Sequence, residues 1–376
     1  MRLSNCKHGC CLKLKILLFV NILLLMLPKA GVASGTNPEK KAFDAGSTII
    51  EHVVDAYEWH IMTVGEKHIA IPLPVLLIND GKLYVFSSGN FHHGQQAYKG
   101  FAICHEKGPN KGKIVKVDDN GMIDKEASII DLSITKNVLS LFISLFLLIW
   151  ILLSAAKSYK KHGCTAPKGM ARVIEPILLF VRDDIIKPSI GPKYEKYLPF
   201  LLTLFFFILF NNLFGLIPFF PGGANLTGNI AVTFVLAMCT FVITNVSGNK
   251  DYWKHIINAP GIPWWLKIPL PIMPIVELVG VFTKPIVLMI RLFANITAGH
   301  IIALGFISLI FILGEGNIIA GYGVSVASVL LYVFMGLLEL LVAFIQAYVF
   351  TLLSSIYIGM AIEEHHHENH GVTETH

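Results

Sequence analysis

The sequence predicts an all-α polytopic membrane protein with five main transmembrane segments, the last two a long tilted C-terminal helical hairpin, preceded by a small, mainly β N-terminal domain. Three observations carry this. Apolar residues make up 54% of the chain and charged residues 15%, a balance suited to a multi-span protein rather than to a soluble domain of this length. Apolar stretches recur at about Asn137–Ala155, Tyr197–Pro218, Asn229–Val246, Leu270–Leu313 and Val324–Ile362, each long enough to cross a hydrocarbon core of ~30 Å. The last two exceed what one perpendicular helix requires, which implies tilt, a break, or both. Ahead of them, from 34 to 133, the chain is polar and mixed.

The N-terminus has the order of a secretory signal peptide over residues 1–33. Lys7, Lys13 and Lys15 come first, then an apolar run from Ile16 to Leu27, then Pro28 and the small-residue stretch Ala30–Ser34, with cleavage near Ala33. An uncleaved anchor is the rival, but the run falls short of the ~20 residues that a span needs. Cys6, Cys10 and Cys11 precede the cleavage point, and Cys104, Cys164 and Cys239 are scattered, so no disulfide framework or zinc spacing survives.

Domain 34–133 reads as a periplasmic, β-rich module. The run Ile69–Ile78, the turn Asn79-Asp80-Gly81 and the run Lys82–Phe86 form a hairpin signal, and Lys113–Val117 leading into Asp118-Asp119-Asn120-Gly121 suggests a second. The sequence assigns this domain no chemistry; the working expectation, which rests on the family resemblance given below, is that it shields the outer entrance or the ring.

Loop charge supplies direction. The loop from Ala156 to Lys196 carries nine Lys or Arg and that from Ser247 to Ile268 three more, while Phe219–Gly228 and Gly314–Gly323 carry none. Positive loops belong inside, which places the N-terminal domain outside and the C-terminus in the cytoplasm, in a bacterial inner membrane. Within the first basic loop, Met170–Ile186 is amphipathic and reads as an interfacial or partner-facing helix rather than a sixth span. The membrane domain is set at 134–364 and a solvated, His-rich tail at 365–376, where metal binding is the weaker reading. No basic, aromatic-interleaved patch points to nucleic acid.

The chemistry concentrates around Arg291. A cation at a helix centre in lipid costs roughly 2.5–3.5 kcal/mol on insertion scales and so marks a functional site with a partner to be found. With Arg291 near the midplane, Glu277 falls roughly 21 Å toward the inside and His300 roughly 13 Å toward the outside at ~1.5 Å per residue. Asn295 lies one turn from Arg291 and Lys284 two turns the other way. The returning segment carries Glu339 and Gln346 close to one face. If Gln346 is level with Arg291, Glu339 lies on the outer side with His300, and a Glu and His within reach of each other form a proton-exchanging pair. Asn211 and Asn212 could hold water beside them. Simple helix-to-helix bonding accounts for the asparagines, but not for an arginine with no acid at its own depth. The countercharge is expected from another subunit.

These residues resemble a known family. Pro274-Ile-Val-Glu277, Lys284-Pro285, Arg291-Leu-Phe-Ala-Asn295 and Ala298-Gly-His300 are similar to subunit a of the F-type ATP synthase. Tyr197–Phe200 through Asn212–Pro218 and Glu339 through Gln346–Phe350 extend the likeness, which runs from about Ile134 to Glu364. The resemblance implies a stator of the F0 sector with two long tilted helices around a ring of c subunits, each with one membrane carboxylate. It further implies two offset half-channels through which protons reach and leave those carboxylates.

Under this resemblance Arg291 keeps the passing carboxylate ionised and blocks a direct leak, and Gln346 contacts the same zone. Asn212, Asn295, His300 and Glu339 match positions of the outer half-channel, and Glu277 one near the inner outlet. The implied partners are the c-subunit ring, the b subunit of the peripheral stalk, the other F0F1 subunits and the bilayer, with no cofactor and no nucleotide site of its own. Some members carry the His and Glu exchanged, and some have a carboxylate where this chain has Gly215, so the outer entrance is not lined alike throughout.

The energetics agree with a many-membered ring, since one charge moving through 100 mV gains about 2.3 kcal/mol and several are needed per nucleotide. An ion-coupled secondary transporter would favour internally repeated halves, which are not seen. An intramembrane hydrolase lacks a supporting metal or nucleophile motif. Sodium in place of protons stays open, because the ring carboxylate and its neighbours would make that choice.

Overall fold

The structure is a computed structural model that describes residues 45–363 apart from 65–66, 93, 95, 105–111, 119–122, 125–128, 163–168, 218–221, 258–271 and 317. The expected signal peptide, its three cysteines, Cys164 and the His-rich tail lie outside the described residues. Cys104 and Cys239 are both free thiols.

Among the described residues helix α1 (Ala45–Val53) comes first, followed by β1 (Glu58–Val64), β2 (Lys67–Pro72), β3 (Pro74–Asn79), β4 (Lys82–Ser87), β5 (Phe101–Ile103), β6 (Ile114–Lys116) and β7 (Ile129–Asp131). They form three small antiparallel sheets, β1-β2, β4-β3-β7 and β5-β6. The β3–β4 hairpin is the one that the sequence marks. Asp80 and Gly81 take φ of 50° and 75°, the doubly left-handed backbone of a tight two-residue turn that matches strand twist. Alternation along β3 sends Val75 and Leu77 into a core with Phe86, Phe91, Phe101 and Ile114, where the rings of Tyr84 and Phe101 meet edge to face at 5.1 Å.

Two details depart from the sequence reading. The run Ile69–Ile78 divides into β2 and β3 at Leu73, because Pro72 and Pro74 flank it and neither has an N–H to give to a ladder. Strand β6 pairs on β5, a partner the sequence does not mark, and the expected second hairpin is reduced to an antiparallel bridge between Val117 and Ile123 with Asp124 N–H donating to Lys116 O at 2.9 Å.

After β7 the chain enters α2 (Lys136–His162) directly. The junction is tied on both sides. Leu132 N–H donates to Leu76 O at 2.9 Å, Ile134 N–H to Pro74 O at 3.1 Å and Lys136 N–H to Ala56 O at 2.9 Å. The Asp55 carboxylate accepts from Asn137 N–H at 3.0 Å, satisfying one of the orphan donors in the first turn of α2 from a residue distant in sequence. The strands and the helix bundle therefore belong to one compact unit.

The helical region continues with α3 (Met170–Phe180), a π-helical turn at Val181–Ile186, α4 (Lys187–Ile190), α5 (Tyr194–Gly215), α6 (Ile230–Ser247), α7 (Lys250–Ile257), α8 (Ile272–Gly316) and α9 (Ile318–Ile362). Among the described residues five helical stretches are long and apolar enough to cross a membrane; four lie within a few residues of those read from the sequence, while the second, Met170–Gly215, also takes in the amphipathic stretch. The widened turn precedes Pro188, whose ring would clash with a carbonyl one turn back in a regular helix. Here the amphipathic stretch turns into the bundle, and Val181, Ile185 and Ile186 are fully buried beside α5 and α9.

Helices α8 and α9, 45 residues each, pack along one another. Both run on as single helices, α8 straight through Pro285, which a membrane helix tolerates when neighbours satisfy the freed backbone. Helix α5 packs on α9 and α6 on α8. Leu201, Phe205 and Ile208 of α5 and Leu288 and Leu292 of α8 fill the core of this bundle.

Candidate functional site

Helix α8 divides cleanly into two faces. Leu288, Leu292, Ile296 and Ala303 are buried against the bundle. Val287, Arg291, Ala294, Asn295, Ala298 and Ile302 are exposed at helical spacing on the opposite side. Arg291 thus stands on an outward apolar face with Asn295 one turn away, and among the described residues it makes no ion pair. An exposed guanidinium amid Val287, Ile290 and Ile302 on a face of this hydropathy is costly in lipid unless a partner supports it.

Two cavities flank Arg291 along α8. The first lies at the end nearest the β domain and has a volume of about 260 Å³. That is ample room for several waters. It is lined by His300 and Ala303 from α8, Glu339 and Tyr332 from α9, Gly215 and Asn225 from the end of α5 and the chain beyond it, and Val53 from α1. His300 Nδ1 approaches Glu339 Oε1 at 3.1 Å, with Glu339 almost wholly buried. Glu339 Oε1 lacks a well-aligned hydrogen bond within the chain, as do Asn225 Nδ2 in the same wall and Asn211 Oδ1 and Asn212 Oδ1 of α5. Buried polar atoms are ordinarily satisfied, by water where protein does not reach, so this end of the bundle is built for hydration.

Close packing sets the pair. A Cβ added at Gly299 would stand 3.1 Å from Glu339 Oε1, and one added at Gly215 would stand 3.9 Å from His300 Nε2. Gly299 therefore leaves space that the acid uses, while at Gly215 the tighter neighbour is the Ala224 carbonyl, 3.3 Å from an added Cβ.

The second cavity lies at the far end of the bundle and is small, about 20 Å³, the size for one water. Lys284 and Pro285 of α8, Thr240 and Thr244 of α6, Tyr252 of α7 and Tyr357 of α9 line it. Thr244 Oγ1 and Asn245 Oδ1 have no hydrogen-bond partner there. The Lys284 ammonium sits over the Tyr357 ring at 5.3 Å, a cation–π contact that holds it in place. Burial raises the Tyr252 phenol above its ordinary pKa, and the Glu277 carboxylate adds to the shift, so Glu277 is felt at this end.

Gln346 is buried on α9. Asn212 is also buried and donates through Nδ2 to Ala343 O at 3.1 Å, bonding α5 to α9 beside the first cavity. Asn295 lies on the exposed face with Arg291 rather than among the residues of that cavity. Sequence reasoning missed Tyr332, Asn225 and Val53. Tyr332 stands seven residues before Glu339, so helical spacing was a signal that could have found it; nothing local marks Val53. Among the described residues no group of three or more His, Cys, Asp or Glu is placed to hold a metal.

Comparison with known proteins follows this division of the chain. Residues 138–359 match the family described as ATP synthase A chain. Residues 48–134 match a domain of unknown function. The chain is similar to ATP synthase subunit a 2 of Chlorobaculum tepidum, 49% identical over 61% of this chain and 64% of that protein. It is similar to ATP synthase subunit a of Chloroherpeton thalassium, 42% identical over 65% of this chain and 72% of the relative, and to that of Myxococcus xanthus, 44% identical over 64% and 77%. The match thus spans a little under two thirds of the Chlorobaculum protein's own length.

Proposed function

The chain belongs to the ATP synthase A chain family, and on that premise we propose that it is the stator subunit of the F0 sector, passing protons to and from a ring of c subunits through two offset half-channels. The observation that carries the proposal is the pair of cavities, each lined in part by ionisable side chains, on opposite sides of Arg291 along one helix. Lys284 is about 10 Å and His300 about 13 Å from Arg291 along the axis.

In this reading a proton enters the larger cavity from the domain side and passes between water, Glu339 and His300. It then neutralises a ring carboxylate that has come to the outward face of α8. The neutral acid tolerates lipid far better than the carboxylate does, so the ring turns to carry it away. When a carboxylic acid arrives from the other direction, the Arg291 guanidinium favours its ionised form, and the released proton leaves past Lys284, Tyr252 and Glu277. Arg291 also repels an excess proton moving straight between the cavities. Asn295 and Gln346 tune the zone around it, and Asn212 supports the first cavity.

The domain side is then periplasmic and the far end, with the C-terminus, cytoplasmic, in agreement with the basic loops. The remaining partners in this reading are the b subunit of the peripheral stalk and the other F0F1 subunits. Site-directed crosslinking in native membranes tests the central contact. A cysteine at Ala294, on the exposed face of α8, should form a crosslink with a cysteine on the carboxylate-bearing helix of c. Arg291→Ala should abolish coupled synthesis and permit passive leak. An assembled Arg291→Ala complex that synthesises ATP at the normal rate would overturn the assignment.

A further inference from the structure

The domain of unknown function has a place in the first cavity, because α1 packs against α8 and Val53, its last residue, forms part of the wall around His300 and Glu339. We propose that this domain is a fixed outer wall of the cavity, which narrows the opening so that water and protons pass while larger charged solutes do not. The inference rests on the half-channel reading above.

Three features argue for a wall rather than a loosely tethered appendage. First, the segment that follows α1 is anchored to α2: Asp55 accepts from Asn137 N–H and Ala56 N–H, each at 3.0 Å, and Ala56 O accepts from Lys136 N–H. Second, β3 is bonded along the strap that leads into α2, through Leu76 and Pro74, and Ser133 Oγ accepts from Leu76 N–H at 3.1 Å. The domain is therefore held to the first turn of α2 and along the strap just ahead of it, which fixes where α1 rests. Third, the interior of the cavity carries unsatisfied polar atoms, whereas Val53 presents a branched apolar side chain to it. A few polar groups within an apolar lining, which Leu216, Leu304 and Ile307 share with Val53, admit small, exchangeable water and make the desolvation of a bulky ion costly.

Thiol labelling in the assembled complex tests this. Ala303→Cys, in a background without the native cysteines, places a reporter in the cavity. It is exposed from the domain side to silver ion and to a bulky, charged methanethiosulfonate. In the parent the silver ion should react and the bulky reagent should react slowly. Adding Val53→Ala should speed the bulky reagent several-fold with little change for silver. Adding Val53→Trp should slow both and lower proton flux in parallel. Equal labelling rates in all three backgrounds, with normal complex abundance, would overturn the wall while leaving the channel intact. Failure of silver to label Ala303→Cys in any background, while a surface cysteine on the domain reacts, would overturn the channel and the wall together.

Discussion

If His300 and Glu339 act as one proton-exchanging unit, removing either should cost nearly as much as removing both. Their nitrogen and oxygen lie 3.1 Å apart with side chains 20% and 7% exposed. At an effective dielectric constant of ~20, opposite charges at that distance attract by about 5 kcal/mol. Desolvation of two buried charges offsets most of this, and contacting pairs retain ~0.5–3 kcal/mol in double-mutant cycles. A coupling of ~2 kcal/mol corresponds to roughly thirtyfold in rate. The assay is the initial rate of ATP-driven proton uptake by inverted membrane vesicles, normalised to assembled complex, for His300→Ala, Glu339→Ala and the double variant. The double should be no slower than the worse single. The exchange His300→Glu with Glu339→His should retain more activity than either single exchange. Slowing by the product of the two single factors, within ~0.5 kcal/mol of additivity, would refute the pairing.

Two further predictions concern the scaffold. Gly359 of α9 lies so close to the carbonyl of Ser189 that an added Cβ would overlap it, so Gly359→Ala should destabilise the bundle by ~1–3 kcal/mol, read as a lower thermal aggregation temperature in detergent. Tyr57 donates to the Asp131 carboxylate, and Tyr57→Phe should cost ~1.5–3 kcal/mol, the range for a hydrogen bond to a charged group. Burial, then that carboxylate, raise the Tyr57 pKa above its ordinary value near 10. Stabilisation from the neutral phenol is therefore complete below pH ~10 and is lost as pH rises through the raised value. The stability gap between wild type and Tyr57→Phe should stay level from neutral pH and close only in strong alkali; a gap that widens there would refute the assignment.

The membrane region was legible because its signals are local and long. An apolar run of twenty residues has few alternatives in a bilayer, and each stretch read from the sequence corresponds to a helix of nearly the same bounds. The meeting of His300 and Glu339 followed from counting residues along two antiparallel helices, since rise per residue is fixed. The Asp80-Gly81 turn was equally local. What escaped was non-local: the pairing of β7 with β3, the reach of Asp55 to α2 and the position of Val53 in the cavity wall. Those depend on segments far apart in the chain, and short strands of three residues carry too little pattern to announce their partners. The break at Leu73 is marked only by its flanking prolines, within an apolar run whose length argues for one strand.

The length of α8 has a geometric consequence. Its apolar window, Ile275–Gly314, comprises 40 residues, or about 60 Å, twice a ~30 Å hydrocarbon core. Lying wholly within that core, the rod would incline by up to about 60° from the bilayer normal. The ~24 Å from Lys284 to His300 would then resolve into about 12 Å of depth and about 21 Å of sideways travel. On the half-channel proposal the two openings would stand side by side rather than one above the other, and an oblique rod would insulate the compartments by lateral offset with no thick plug between them.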